Sequence, residues 1–357
     1  MKKIVIACDS YKGCLSSSEV SDAVAEGVSE VYPDCEVVRL AVADGGEGTV
    51  EALVDTLGGH LEWAEVSDPL GRPVRAAYGV AGDLAIIESA AACGLALLTN
   101  EERNPLIATT KGLGELILAA VDKGCRRFLI GLGGSATNDG GMGMIGAEGF
   151  LEKTRGLQFT IACDVDTPYI GKNGASRVFG PQKGASVQDV EVLEERLRGY
   201  ALKISEDTGI DVSDMPGAGA AGGLGGAFRA YLGAELKRGV DLVLDQIGFD
   251  SVIAGADLVI TGEGCSDYQT LKGKTAVGVL ERAERLNIPV ALVSGAVRDE
   301  KMLRDRGFRI VEAVTPPPMS LEEAMRPETA KHLVAVATRN ILHQFCIYYR
   351  VLHMRNH

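Results

Sequence analysis

Apolar and polar positions along the chain fall into two textures. Near the start, KKIVIA carries an unbroken apolar run that reads as a buried strand, since strands covered on both faces show no alternation. Residues 16–31 follow with helical spacing, Val20, Ala23, Val24 and Gly27 sharing one face. A second strand is predicted over 35–43 and a second helix over 49–57. From 60 to 89 apolar and polar residues alternate and are interrupted by PLGRP, which predicts antiparallel hairpins. A helix over 111–123 then leads into the strand FLIGLG at 128–133. The last third returns to the first texture, with strands over 256–264, 288–296 and 309–316 and helices over 275–286 and 299–306. The pattern predicts an α/β chain of two domains. A doubly wound parallel-sheet domain is expected from both chain ends, 1–60 with 255–357, and an inserted mixed α/β domain over 61–254.

Composition narrows the class. Hydrophobic residues make up 46% and charged residues 24%, the balance of a globular protein with a real core. No apolar run approaches the roughly 18 residues of a membrane span. The initial IVIA is shorter than the roughly 7–15 apolar residues of a signal peptide, so a cytoplasmic location is expected. Eight cysteines are scattered without a CxxC pair, which argues against a zinc knuckle or redox dithiol and for buried reduced thiols. A net charge of −13 opposes binding to nucleic acid, although a few converging cations can still hold a small anion. Glycine is the outlier: 45 residues against an average of about 7%, clustered at 45–48, 131–143, 217–226 and 262–264. Such clusters mark places of close backbone approach.

Chemistry gathers at the predicted strand ends. Asp9, Ser10 and Lys12 follow the first strand and suit an anion, or else cap a helix beside a solvated lysine. Asp44 and Glu47 flank the GGEG turn, which is neither a Walker A loop nor GxGxxG. They could hold Mg²⁺ with water and substrate phosphates, or simply form an Asp-Gly turn. Gly133, Gly134, Ser135, Thr137, Asn138 and Asp139 make a nest suited to phosphate or carboxylate oxygens. Gly217, Gly219, Gly222 and Gly223 read equally as a phosphate cradle or as tight helix packing. Gln182 and Lys183 follow a Gly-Pro turn. Asp164 and Asp166, at i and i+2, point to opposite sides unless their strand has already ended. Glu263, Asp267, Gln269, Thr270 and Lys274 follow another buried strand and suit phosphoryl transfer.

The blocks DSYKGCLSSSEV, VADGGEGTVEAL, RNPLIATTKGLGELI, GLGGSATNDGGMGM, ACDVD, GASRVFGPQKGA, PGAGAAGGLG and TGEGCSDYQTLKGK occur in that order. In them the sequence resembles the bacterial type I glycerate kinase family. The resemblance implies ATP, Mg²⁺ and D-glycerate, with 2-phosphoglycerate the expected product over 3-phosphoglycerate, and an active site in the cleft between two domains. It implies small-molecule partners, no nucleic acid and no membrane, and leaves a homodimer open as the assembly. In that light Gly133, Gly134 and the 217–226 glycines are assigned to ATP phosphates, with Lys183 or Lys274 assisting. Mg²⁺ falls to Asp44 with Glu47, or to Asp164 with Asp166. Ser10 and Lys12, with Asn138 and Asp139, are assigned to glycerate. Asp267 is the first choice for the base that accepts the hydroxyl proton, and Asp9 the second.

The chain departs from the family pattern in three places. The connection between GMGM and ACDVD is short, Cys265-Ser266 stands where the family usually has Arg and an apolar residue, and the tail after Asn340 is unusually aromatic. A catalytically impaired homologue, or a non-catalytic sensor of a phosphorylated metabolite, is therefore the rival reading. The acids beside the glycine nests argue against a pure anion binder. A nicotinamide-dependent dehydrogenase is disfavoured because the first turn lacks GxGxxG.

Overall fold

The apolar run that opens the chain becomes β1 (Lys3–Cys8), buried from Ile4 onward and interior to a five-stranded sheet. The structure, a computed structural model, describes residues 1–355, with side chains described except at 272 and beyond 347. By packing, the chain divides into two compact units, residues 1–44 with 243–357, and residues 45–242.

The first unit is a parallel sheet. β2 (Glu36–Ala41) lies on one side of β1, and β9 (Leu258–Ser266), β10 (Val290–Val297) and β11 (Ile310–Ala313) follow on the other. Every neighbouring pair is parallel. Counted within the unit the order is 2-1-3-4-5, so the winding direction reverses between β1 and β9. Ile4, Ile6, Ile260, Ala291 and Val293 share a core with α1 (Ser17–Val31) and the helix Pro327–Arg355. The helix Thr275–Arg285 packs against β9, β1 and β10. A capping box starts α1: the Ser16 side chain accepts from the Glu19 N–H, and the Glu19 carboxylate accepts from the Ser16 N–H. Gly27 sits on the apolar face of α1 because a Cβ there would meet the Ala335 carbonyl oxygen at 2.6 Å.

The second unit is a six-stranded mixed sheet in chain order. It comprises β3 (His60–Ser67), β4 (Pro73–Ala81), β5 (Leu84–Glu88), β6 (Arg127–Gly131), β7 (Gln158–Ala162) and β8 (Glu235–Lys237). The alternating stretch forms the antiparallel β3–β4–β5 meander, and β5 through β8 pair in parallel. The helix α2 (Thr49–Leu57) packs on β3, β4 and β5, which places it in this unit. The observed limits therefore differ from the expected 60 and 255: which sheet α2 covers is a tertiary fact that its own periodicity does not carry. The short connection between β6 and β7 closes through the single turns Met142–Ile145 and Phe150–Lys153, with Met144, Ala147 and Phe150 in the core. The β6–β7 register is unbroken from Arg127–Gln158 to Gly131–Ala162. Cys8, Cys93 and Cys125 are buried as expected, whereas the other five cysteines are partly exposed.

Candidate active site

The carboxyl ends of β1 and β9 meet where the strand order reverses, the place where open α/β sheets bind ligands. The Asp9 N–H donates to the Gly262 carbonyl at 2.9 Å, tying the two strand ends together. A cavity of about 400 Å³ opens there, lined by Asp9, Lys12, Asp44, Glu263, Lys274 and Arg298 among others. Asp9 is only 9% exposed. Its carboxylate accepts from the Thr275 hydroxyl at 2.6 Å and from the Ser10 N–H at 2.7 Å. Burial pushes its pKa up to about 6, and Asp44 adds to the rise; Thr275, the Ser10 N–H and Lys12 pull the other way. Glu263, also buried, accepts from the Thr270 hydroxyl at 2.6 Å, the Ser266 hydroxyl at 2.9 Å and the Lys274 ammonium at 3.4 Å. Ser10 lines the cavity, and Lys12 is exposed on the same turn.

Other expected residues stand elsewhere. Asp267 does not line this cavity; its carboxylate accepts from the Gln269 N–H at 2.8 Å and serves its own turn. Glu47 is exposed and falls in the second unit, while Asp44 belongs to the first. The N-terminal turn of α2 already faces an acid, since Glu88 accepts from the Val50 N–H at 3.2 Å. β7 ends at Ala162, so the alternation rule does not reach the next two aspartates. Asp164 accepts from the Gly239 N–H at 2.9 Å, and Asp166 is exposed. Among the described residues no group of three or more His, Cys, Asp or Glu could hold a metal. Asp44, lining the cavity, nevertheless fits magnesium, which commonly takes one or two carboxylates and completes its shell with phosphate and water.

The second cluster lies after β6. Gly133 and Gly134 are exposed, while Ser135, Thr137, Asn138 and Asp139 are buried. Lys183 reaches in behind them, 2% exposed, donating to the Thr137 carbonyl at 2.6 Å and the Ser135 hydroxyl at 3.0 Å. Burial holds its pKa down to about 8. The Asn138 amide donates to Ser176 at 2.9 Å, but its oxygen and the Thr137 hydroxyl are buried with no partner among the described residues. Unpaired buried groups of this kind are costly unless a ligand or water meets them.

Asp139 is fully occupied: the Thr110 N–H and hydroxyl donate at 2.8 and 2.9 Å, and the Gly141 and Gly143 N–H groups both at 3.1 Å. It stitches the block before the helix Lys111–Asp122 to the nest. The 217–226 glycines are packed against backbone and side chains. A Cβ at Gly222 would meet the Thr137 carbonyl oxygen at 2.1 Å, at Gly223 the Gly140 Cα at 2.6 Å, and at Gly219 the Pro168 carbonyl oxygen at 2.1 Å. At Gly217, where φ is +78°, it would meet Leu236 at 2.9 Å. Of the two readings for this cluster, tight packing is the one these contacts describe.

Two groups, one bonded to Asp9 and one lining the cavity, escaped the sequence reading. Thr275 looks like an ordinary first residue of a helix, and its bond to Asp9 joins residues 266 positions apart. Arg298 follows the predicted strand 288–296, so the strand-end rule applied to Asp9 would also have found it.

In class, this is a doubly wound α/β enzyme fold with acids and cations at its switch point, suited to small anionic ligands. The sequence model of the glycerate kinase family matches residues 4–156 and 148–346, its two segments overlapping inside the short connection. The glycerate kinase of Bacillus subtilis (strain 168) is 43% identical over 353 residues, covering 90% of this chain and 92% of its own. The glycerate 2-kinase of Escherichia coli (strain K12) is 42% identical over 370 residues, covering 95% and 97%. A crystal structure named as glycerate kinase 2 from Salmonella typhimurium LT2 superposes with a TM-score of 0.87 at 42% identity, over 98% of this chain and 99% of that one. The chain belongs to the glycerate kinase family and is a phosphotransferase. Among the described residues no helix is long and apolar enough to cross a membrane.

Proposed function

We propose that the chain transfers the γ-phosphoryl group of ATP to the 2-hydroxyl of D-glycerate. The observation that carries this reading is buried Asp9, its pKa raised to about 6, facing a cavity it shares with Lys12 and Asp44 at the β1/β9 reversal. The E. coli relative, named a glycerate 2-kinase, supports 2-phosphoglycerate as product. As the hydroxyl oxygen attacks the γ-phosphorus, the bond to the β–γ bridging oxygen breaks and the hydroxyl proton passes to Asp9. That reverses the order expected for the two candidate bases, because Asp267 spends its carboxylate on its own turn. Lys12 offsets the charge of the incoming anions, and Lys274 stays poised by its ion pair with Glu263. Magnesium would be held by Asp44 and would neutralise charge on the phosphate oxygens.

We read the nest at Gly133–Thr137, backed by Lys183, as a site that holds phosphate oxygens. Its partnerless buried oxygens and exposed glycines support that role. The test is turnover of D-glycerate with ATP and Mg²⁺ by the purified chain, with the phosphate position in the product read by ³¹P NMR. Phosphate on the 2-oxygen is expected. Phosphate on the 3-oxygen overturns the regiochemistry, and no phosphoglycerate overturns the reaction.

A further inference from the structure

β9 and β10 run in parallel, with Cys265 opposite Ala296 and Ser266 opposite Val297. Arg298 is the next residue, its N–H donating to the Ser266 carbonyl at 3.0 Å, and it lines the same cavity as Cys265. That lining carries three acids, Asp9, Asp44 and Glu263, and three cations, Lys12, Lys274 and Arg298. Lys274 is committed to Glu263 at 3.4 Å. Among the described residues the guanidinium of Arg298 makes no hydrogen bond or ion pair. Without Arg298, three carboxylates would face two ammonium groups, one of them paired, and a cavity so charged would repel an anionic substrate. Position 265 itself offers a thiol with no charge.

We propose that Arg298, at the end of the strand beside Cys265, supplies the guanidinium of this cavity and holds a substrate oxyanion. The ligand chemistry is a carboxylate or phosphate group, whose paired oxygens match the planar fork of arginine in a way that the point charge of Lys12 does not. The inference rests on the phosphoryl-transfer reading for the identity of the two anions, glycerate and ATP.

The experiment compares wild type, Arg298→Ala, Arg298→Gln and the double variant Cys265→Arg with Arg298→Ala. Kinetics are measured with glycerate varied at saturating ATP, then the reverse. The expected result is a ten- to hundredfold fall in kcat/KM for one substrate in both single variants, carried mainly by KM, with unchanged melting. A fall in the glycerate arm assigns the carboxylate, and one in the ATP arm the phosphate. The double variant should recover at least tenfold of what Arg298→Ala loses. A change below threefold in both arms overturns the proposal, and so does a loss that Cys265→Arg fails to restore. If the wild type turns over neither substrate, the assigned reaction fails by itself. Arg298 is then judged by calorimetric titration of glycerate and ATP singly, where a tenfold weaker affinity for either anion in Arg298→Ala supports it. Equal affinities, or no binding to wild type, overturn it.

Discussion

Asp9 is where chemistry and stability oppose each other. Its folded pKa of about 6 lies above the ordinary aspartate value, so the folded chain binds its proton more tightly than the unfolded chain does. Its contribution to stability is therefore fullest below about pH 4 and is lost as the pH rises through about 6. Asp9→Asn removes that loss while keeping an acceptor for the Ser10 N–H, and the Thr275 hydroxyl can turn to accept from the new amide. The variant should be more stable by about 2–3 kcal/mol at pH 7.5 and lose about 10²–10⁴-fold in kcat. Melting curves between pH 4.5 and 7.5 check the first half, and a variant no more stable than wild type at pH 7.5 contradicts it. In wild type, kcat/KM should rise with an apparent pKa near 6. Lys12 gives the complementary test. Lys12→Met should cost roughly ten- to a hundredfold in kcat/KM with melting within about 0.5 kcal/mol of wild type. A fall below threefold makes it a surface lysine. Asp9 was visible in the sequence as a strand-end acid, yet what sets it apart from Asp267 was not. Only burial and the contact with Thr275 separate the two, and both depend on residues more than two hundred positions away.

At the scale of elements, periodicity was readable because each strand's surroundings are written along its own length. β1 and β9 are covered on both faces and show solid apolar runs, while the β3–β4 hairpin alternates. What periodicity omits is which partner an element meets. The glycines at 217–226 illustrate this: their sequence fits a phosphate cradle, but their absent Cβ atoms admit the backbone of Thr137 and Pro168. Gly27 is the same case in a helix. Gly27→Ala gains helix propensity of about 1 kcal/mol, but its Cβ would press on the Ala335 carbonyl and on the Thr338 Cβ at 2.8 Å. Backbone yields little, so overpacking should win and the variant should lose about 1–3 kcal/mol. Its activity per folded molecule should stay unchanged. Chemical denaturation of the variant measures this, and a net gain would mean that α1 and the helix Pro327–Arg355 separate more easily than their packing implies.

At the scale of the whole molecule, the chain folds around distinct cores. One gathers Ile4, Ile6, Ile260 and Val293 in the first unit, and another gathers Ile87, Ile130, Phe128 and Phe159 in the second, with the two phenylalanine rings stacked at 4.7 Å. The short connection contributes Phe150 to the second core without breaking the β6–β7 register, so this departure from the family pattern is absorbed locally. Separate cores predict separable unfolding. The single tryptophan, Trp63, lies in β3 of the second unit, 48% exposed beneath the Arg75 guanidinium at 4.7 Å. Its fluorescence should therefore report that unit alone. Ile130→Val and Ile260→Val each remove one buried methylene, worth about 0.5–1.5 kcal/mol. Ile130→Val should move the tryptophan-monitored urea midpoint downward. Ile260→Val should leave it in place and shift only the far-UV circular dichroism transition of the parallel-sheet unit. Equal displacement of the tryptophan midpoint by both substitutions would show instead that the two cores melt as one cooperative body.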